Sequence, residues 1–516
     1  MAELAIPVYD ALSSVYPDSY PNQATRWNAL AEEFTARFGR KPTHICRAPG
    51  RVNLIGEHID YALFGVLPAA IEPDFLVACA VSESGKGQIN LQNLNAKYKP
   101  QHFAAQRDQN GKWHLDIDTT ELRWDSYVKA GYYGVLENFF THNDAEPVSI
   151  DMLCTGTVPG GSGLSSSAAV IVASTLAFAT MNGHHAGFTR GRLVELSMEN
   201  ERRVGVNSGG MDQAASAIPP ANSALYITFY PKLHAEPIAL PEHAVLVIAH
   251  SLFVSEKALT AKTNYNLRVV ETLVAARVLA RRLGVEVGKT EKITLREVLQ
   301  RWTAPNTTEL SPEALRDALE RILPHVAGLK LDDDASLDND DDTGHTLDEM
   351  VEVSGLSASE FHDVYLSWVD VEATHFQLYK RAKHVFTEAL RVLQVRDLCL
   401  AAADGQIPSD EKLLQSIGDL FNASQTSCDQ LFNCSAEGLN TLTTIARKAG
   451  AYGSRLTGAG WGGCTVSLVP ADQVEHFIKT LAEEYAPYRE LTPEALADAV
   501  FATKPGSGAC VYTVSQ

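Results

Sequence analysis

The sequence predicts an α+β protein built as two domains, and three observations carry that expectation. A chain of 516 residues is too long for one hydrophobic core of ordinary size. Its first third alternates short apolar runs (VNLIG, FGVLPAAI, FLVACAV) with glycine and proline, the pattern of strands and turns. Its second half is helical in periodicity as far as Arg447, then turns to a glycine-rich loop and strands. The division is placed at 1–245 and 246–516.

The individual elements follow from spacing. In VSIDMLCTGTV, Val148, Ile150, Met152 and Cys154 share one face at period two, as a half-buried strand requires. Leu164 to Met181 is continuously apolar or small, with Gly183 where a helix C-cap belongs, so a buried helix is expected. In NLRVVETLVAARVLARRLG, Leu267, Val270, Val274 and Val278 recur at three and four, and Arg281, Arg282 and Gly284 close an amphipathic helix. The charge run LDDDASLDNDDDT, residues 331–343, buries too little surface to pack and reads as a solvated acidic loop. Asp338, Asp340, Asp342 and Glu349 mimic calcium-loop spacing. Thr343, however, stands where that loop needs glycine, and Gly344 comes one place late, so a linker is expected.

Composition narrows the partners. Hydrophobic residues make up 45% and charged residues 21%, as in a globular protein with a core. A formal net charge of -20 repels phosphate backbones and anionic lipid, which argues against nucleic-acid and membrane partners. The opening MAELAIPVYDALSSVYPDSY lacks the basic segment of a secretory leader, and no apolar run approaches the roughly 20 residues of a membrane span. A cytoplasmic protein with reduced, buried thiols is expected, since the 8 cysteines form no CxxC pair.

Three loops carry chemistry. In VPGGSGLSSSAA, Gly160, Gly161 and Gly163 let backbone approach a ligand, and Ser162, Leu164, Ser165, Ser166 and Ser167 lead into the buried helix. Unpaired amides at a helix start bind anions, and serine hydroxyls can meet phosphate or magnesium. The bland alternative is a flexible turn. Gly288, Lys289 and Thr290 end a near-match to a P-loop, but Leu283 replaces its first glycine and a helix precedes it.

The second loop, RAPGRVNLIGEHIDY, gathers Arg47, Arg51, Glu57, His58, Asp60 and Tyr61 around two glycines. These groups suit sugar hydroxyls, structural ion pairs or a metal, and the residues alone leave all three open. The third, ENERRVGVNSGGMDQAAS, sets Asp212 behind Gly209 and Gly210 with Glu201 upstream. Phosphoryl transfer to an alcohol needs a carboxylate at the hydroxyl, a fixed cation and Mg²⁺; Asp212, Arg51 and Glu201 fit those roles. A further glycine loop, Gly458 to Gly463, is expected to close over the phosphates or line the site from the second domain.

With these loops in this order the chain resembles the GHMP kinase superfamily, and GRVNLIGEHIDY resembles the galactokinase signature. The likeness extends through YKRAKHVFTEALRVL, FNASQTSCDQLFNCS and TKPGSGA, and the HIDY form is similar to the fungal branch. The resemblance implies a two-domain GHMP kinase fold with ATP and Mg²⁺ in the interdomain cleft and phosphoryl transfer to the anomeric hydroxyl of galactose. It implies Arg51 and Asp212 as the catalytic pair. Glu57, His58, Asp60, Asn207, Gly210 and Tyr265 would surround the sugar with them. Gly160 to Ser167 would hold the phosphates, with Ser167 and Glu201 on magnesium, and Trp124 and Tyr127 are aromatic candidates for adenine.

Two other activities share these loops. Some fungal relatives bind galactose and ATP to engage a transcriptional repressor; the non-catalytic ones lack a Ser-Ala pair that Ser167 and Ala168 supply here. N-acetylgalactosamine kinases differ in room beside the sugar C2, where Ala62, Leu63 and Phe64 are the residues to inspect.

Overall fold

A computed structural model of the chain describes residues 1–17, 19–83, 87–118, 123–141, 146–205, 209–241, 243–254, 260–307, 309–331, 343–408 and 410–515. A seven-stranded sheet has the order Val8–Tyr9, Cys510–Thr513, His44–Ile55, Leu67–Val81, Ile150–Gly156, Gln88–Asn93, Gln101–Ala104. Its centre is antiparallel, while Val8–Tyr9 runs parallel to Cys510–Thr513 and Gln88–Asn93 parallel to Ile150–Gly156.

The strand expected to be half-buried is covered on both faces. Ile150, Met152 and Cys154 join the core that includes the helix Ser166–Met181, while Leu153 packs with Trp27, Leu30 and Phe34 of the helix Tyr20–Phe38. Its one charged residue, Asp151, is paired with Arg40 and accepts from Asn90 Nδ2 at 2.6 Å, so the buried carboxylate is satisfied. Helix Ser166–Met181 is buried from Ala168 to Met181, as an all-round apolar sequence demands. It begins two residues beyond Leu164 because Ser165 takes a left-handed φ of 57° at the N-cap.

A second, four-stranded antiparallel sheet has the order Gly453–Thr457, Cys464–Pro470, Ala244–His250, Val500–Thr503. The helix Tyr265–Arg282 buries Leu267, Val270, Val274 and Val278, the stripe the spacing predicts. Helix Leu378–Ala403 packs beside it, Glu411–Gln430 packs on Leu378–Ala403 in turn, and Val474–Glu484 adds a helix to a segment expected to hold only loop and strands. The mixture of helix and sheet is the α+β architecture expected.

The chain's last strand, Cys510–Thr513, returns to the first sheet and pairs with His44–Ile55. On the way, Gly506 N donates to Ala70 O and Gly508 N to Pro219 O, both at 2.8 Å, which ties the tail to the end of the helix Met211–Ala217. Residues 332–342, including Asp338, Asp340 and Asp342, lie outside the described residues. Glu349 serves in a capping box with Thr346 at the start of the helix Leu347–Ser354. All eight cysteines are free and buried. Among the described residues no helix is long and apolar enough to cross a membrane.

Candidate active site

The candidate phosphate loop lies between the strand Ile150–Gly156 and the helix Ser166–Met181. Ser162 Oγ donates to Pro159 O at 2.7 Å and tightens it. Gly163 has a φ of 80°, and a Cβ there would stand 2.9 Å from Thr457 O, so only glycine fits where this loop meets the second sheet. The Gly458–Gly463 loop packs on the same spot from the second half, and the two glycine loops meet backbone against backbone. Gly160 and Gly161 are exposed, Leu164 is buried, and Ser166 and Ser167 are half-buried in the first helical turn. Among the described residues the buried Ser165 Oγ has no hydrogen-bond partner, a state that a phosphate oxygen would relieve.

Arg51, on the strand His44–Ile55, is held at three points. Its Nε and Nη2 lie 2.9 and 2.7 Å from Asp212 Oδ1, and Nη1 donates to Gly163 O at 2.5 Å. Its own amide donates to Leu164 O. The Arg51 side chain is 3% exposed and that of Asp212 18%, so the pair presents the carboxylate rather than the guanidinium. Asp212 occupies the first turn of the helix Met211–Ala217, whose N-cap Gly210 has a φ of 96°. A negative charge is favoured there by the unpaired amides.

Asp60 is buried beside this pair. Burial, and next the charge of Asp212, push its carboxyl up to about 6 against the amides of Tyr61 and Asp60 and the charge of Arg51. Half-buried Tyr265 opens the helix Tyr265–Arg282, and burial followed by Asp60, Asp212 and Glu201 pushes its phenol well above the ordinary range. The charges of three carboxylates thus act on Tyr265, so four residues separated along the chain share one electrostatic environment. Glu201, the buried last residue of the helix Arg190–Glu201, accepts from Gln213 Nε2 at 2.6 Å. Asn207 lies outside the described residues.

Glu57 and His58 turn toward the second half. Glu57 accepts from Arg455 Nη2 at 2.7 Å, Asn53 Nδ2 at 2.6 Å and Gly458 N at 2.7 Å. That leaves acceptor capacity on Oε1, because a carboxylate takes about four hydrogen bonds. His58 Nε2 donates to Ala459 O at 2.9 Å, and its ring sits 4.8 Å from Phe432, 5.4 Å from Trp461 and 5.7 Å from Tyr265. The sequence reasoning gave no role to Phe432, Trp461, Arg455, His384 or Glu388. The available signal was the recurrence of Arg381, His384, Glu388 and Arg391 at three, four and three along a helix whose other buried residues are mostly apolar.

Trp124 begins the helix Trp124–Phe139 and packs on Tyr98 with ring centres 5.3 Å apart. Tyr127, one turn on, is half-buried, and burial with the charge of Glu201 raises its phenol. Ala62 and Phe64 are buried, and Leu63 is half-buried with a φ of 68°.

Among the described residues no group of three or more His, Cys, Asp or Glu could hold a metal ion. Magnesium in phosphoryl-transfer sites takes one or two protein oxygens and completes its shell with phosphates and water. A serine hydroxyl and a carboxylate are hard-oxygen donors of that kind, so Ser167 and Glu201 fit such an ion by chemistry.

A glycine loop at a helix start, an arginine fixed between that loop and a carboxylate, and a second glycine loop from the other half define a GHMP-type small-molecule kinase. Family profiles agree: "Galactokinase galactose-binding signature" matches residues 32–81, "GHMP kinases N terminal domain" 126–218 and "GHMP kinases C terminal" 410–487. The galactokinase of Saccharomyces cerevisiae is 37% identical, covering 99% of this chain and 98% of the relative. That of Dictyostelium discoideum is 35% identical over the same shares of the two chains. This chain belongs to the galactokinase family and is an ATP-dependent kinase. Its fold is similar to Lactococcus lactis galactokinase crystallised with galactose, with a TM-score of 0.64 at 24% identity, covering 94% of this chain and 99% of that one.

Proposed function

We propose that this chain transfers the γ-phosphoryl group of ATP to the anomeric hydroxyl of galactose, releasing galactose 1-phosphate and ADP. The observation that carries the reading is Arg51, which binds Asp212 and the Gly163 carbonyl at once. It thereby sets the carboxylate that meets the sugar hydroxyl against the loop that meets the phosphates. Geometry of this kind supplies much of the catalysis in phosphoryl transfer, where the protein positions and neutralises rather than bonds.

In this reading Asp212 accepts the proton of the anomeric hydroxyl, and Arg51 holds it in place and offsets charge growing on the transferred group. Glu57, His58, Asp60, Gly210, Asn207 and Tyr265 surround the sugar. Gly160 to Ser167 bind the phosphates through loop amides and the Ser165 hydroxyl, and Trp124 with Tyr127 borders the adenine. Magnesium, held by Ser167 and Glu201, supplies charge neutralisation at the phosphates when bound. Eight buried free thiols suit a reducing compartment, and we place the activity in the cytoplasm.

The test is ADP release measured with galactose, N-acetylgalactosamine and glucose side by side, with the product analysed for the position of the phosphate. Turnover on galactose giving the 1-phosphate is expected. Preference for N-acetylgalactosamine, or a 6-phosphate product, would overturn the reading.

A further inference from the structure

The turn that carries Glu57, His58 and Asp60 is held by side chains from three elements of the second half. Arg455, on the strand Gly453–Thr457, is fully buried and donates from Nη1 to Leu54 O at 3.1 Å and Asn53 O at 3.3 Å. Its Nη2 meets Glu57 Oε2 at 2.7 Å, and its Nε donates to Ser424 Oγ of the helix Glu411–Gln430 at 3.0 Å. Ser424 Oγ in turn donates to Glu388 Oε1, the same oxygen that accepts from Gly56 N at 3.0 Å. His384, one turn before Glu388 on the helix Leu378–Ala403, places Nε2 3.0 Å from Glu57 O. A carbonyl only accepts, so Nε2 carries the proton, and Ser427 Oγ donates to Nδ1 at 2.8 Å.

We propose that Arg455 is a positioning residue for sugar binding, acting through Glu57. A planar guanidinium reaches a carboxylate, two carbonyls and a hydroxyl in fixed directions; an ammonium cannot span that fork. The strand that bears it continues into Gly458 and Ala459, which bond Glu57 Oε1 and His58 Nε2. One buried residue thus sets both the backbone and the carboxylate of the sugar turn. Arg51 and Asp212 lie outside this network, so its loss weakens binding of sugar in ground and transition states alike. The inference rests on the proposed galactose reading.

The test compares R455K with the unaltered protein for galactose KM, ATP KM, kcat and thermal midpoint, and adds galactose titration by calorimetry. R455K keeps the charge and fills most of the volume. It is expected to raise the galactose KM and Kd about tenfold or more, with kcat and ATP KM changing less than about threefold. If R455K does not fold, S424A, which withdraws only the hydroxyl shared by Arg455 and Glu388, carries the same pattern in smaller measure. A lowered thermal midpoint with galactose KM and Kd unchanged overturns the inference while leaving the galactose reading intact. No turnover of galactose by the unaltered protein overturns that reading, and the inference with it.

Discussion

Arg51 places Nε and Nη2 at 2.9 and 2.7 Å from a single oxygen of Asp212, leaving the other oxygen outside the ion pair. The carboxylate is thereby held in place, and in the proposed reading it meets the sugar hydroxyl. Asp212→Asn keeps the size of the side chain but removes the base, so kcat should fall by about 10²- to 10⁴-fold while galactose still binds. Steady-state ADP release together with galactose calorimetry checks both halves. Near-normal turnover would remove Asp212 from the chemistry.

Asp60 sits in a folded protein that prefers it protonated. Its carboxyl is raised from its ordinary 3.8 to about 6 by burial and by Asp212, so the folded state binds more protons than the unfolded state between those values. Stability from this group is therefore full below about pH 4, declines as pH rises through about 6, and stays reduced at pH 7.5. Asp60→Asn should raise the stability of the sugar-free protein by about 1–3 kcal/mol at pH 7.5, with little gain at pH 4.5, and should weaken galactose binding. Thermal midpoints at the two pH values test this. An equal change at both would show that ionisation of Asp60 is not the cause.

Much of the fold was legible because its signals are local. The glycine-serine loop between strand and helix announces itself in VPGGSGLSSSAA, and the helix Tyr265–Arg282 buries the four residues its spacing selects. The second face of the strand Ile150–Gly156 was not legible: Asp151 looks like a solvent-side residue until its partner Arg40, 111 positions away, is known. The site divides in the same way. Arg51 and Asp212 could be singled out by residue type and glycine context, but their pairing spans 161 positions and no periodicity encodes it. Arg455 is harder still, since a lone arginine in a strand carries no pattern and its function lies in partners at Asn53, Glu57 and Ser424.

The two glycine loops meet where side chains are excluded. At Gly163→Ala the new methyl would lie 2.9 Å from Thr457 O, on a residue with a φ of 80° that L side chains rarely adopt. The loop must shift to relieve this, moving the Gly163 carbonyl that holds Arg51. ATP KM should rise and kcat fall together, with about 1–3 kcal/mol lost in stability. Kinetics at varied ATP, with thermal unfolding, measure both. A change in stability without a change in either kinetic constant would mean the contact serves folding alone.

Ser165 offers the opposite case, a buried hydroxyl that no other described residue bonds. Among the described residues its Oγ has no partner, and its backbone is held at a left-handed φ of 57°. Burying an unpaired hydroxyl is costly, whereas a methyl of similar size is not penalised in this way. Ser165→Ala should therefore leave the ATP-free protein as stable or slightly more stable, offset by whatever extra strain alanine meets in the left-handed region. If the hydroxyl bonds a phosphate oxygen, ATP affinity should fall by about tenfold, the effect of one hydrogen bond to a charged group. Thermal midpoints with and without ATP separate the two effects: the ligand-induced rise should shrink while the ligand-free midpoint holds. A full ATP-induced rise in the variant would place the phosphates elsewhere on the loop and leave Ser165 with a purely structural role at the start of its helix.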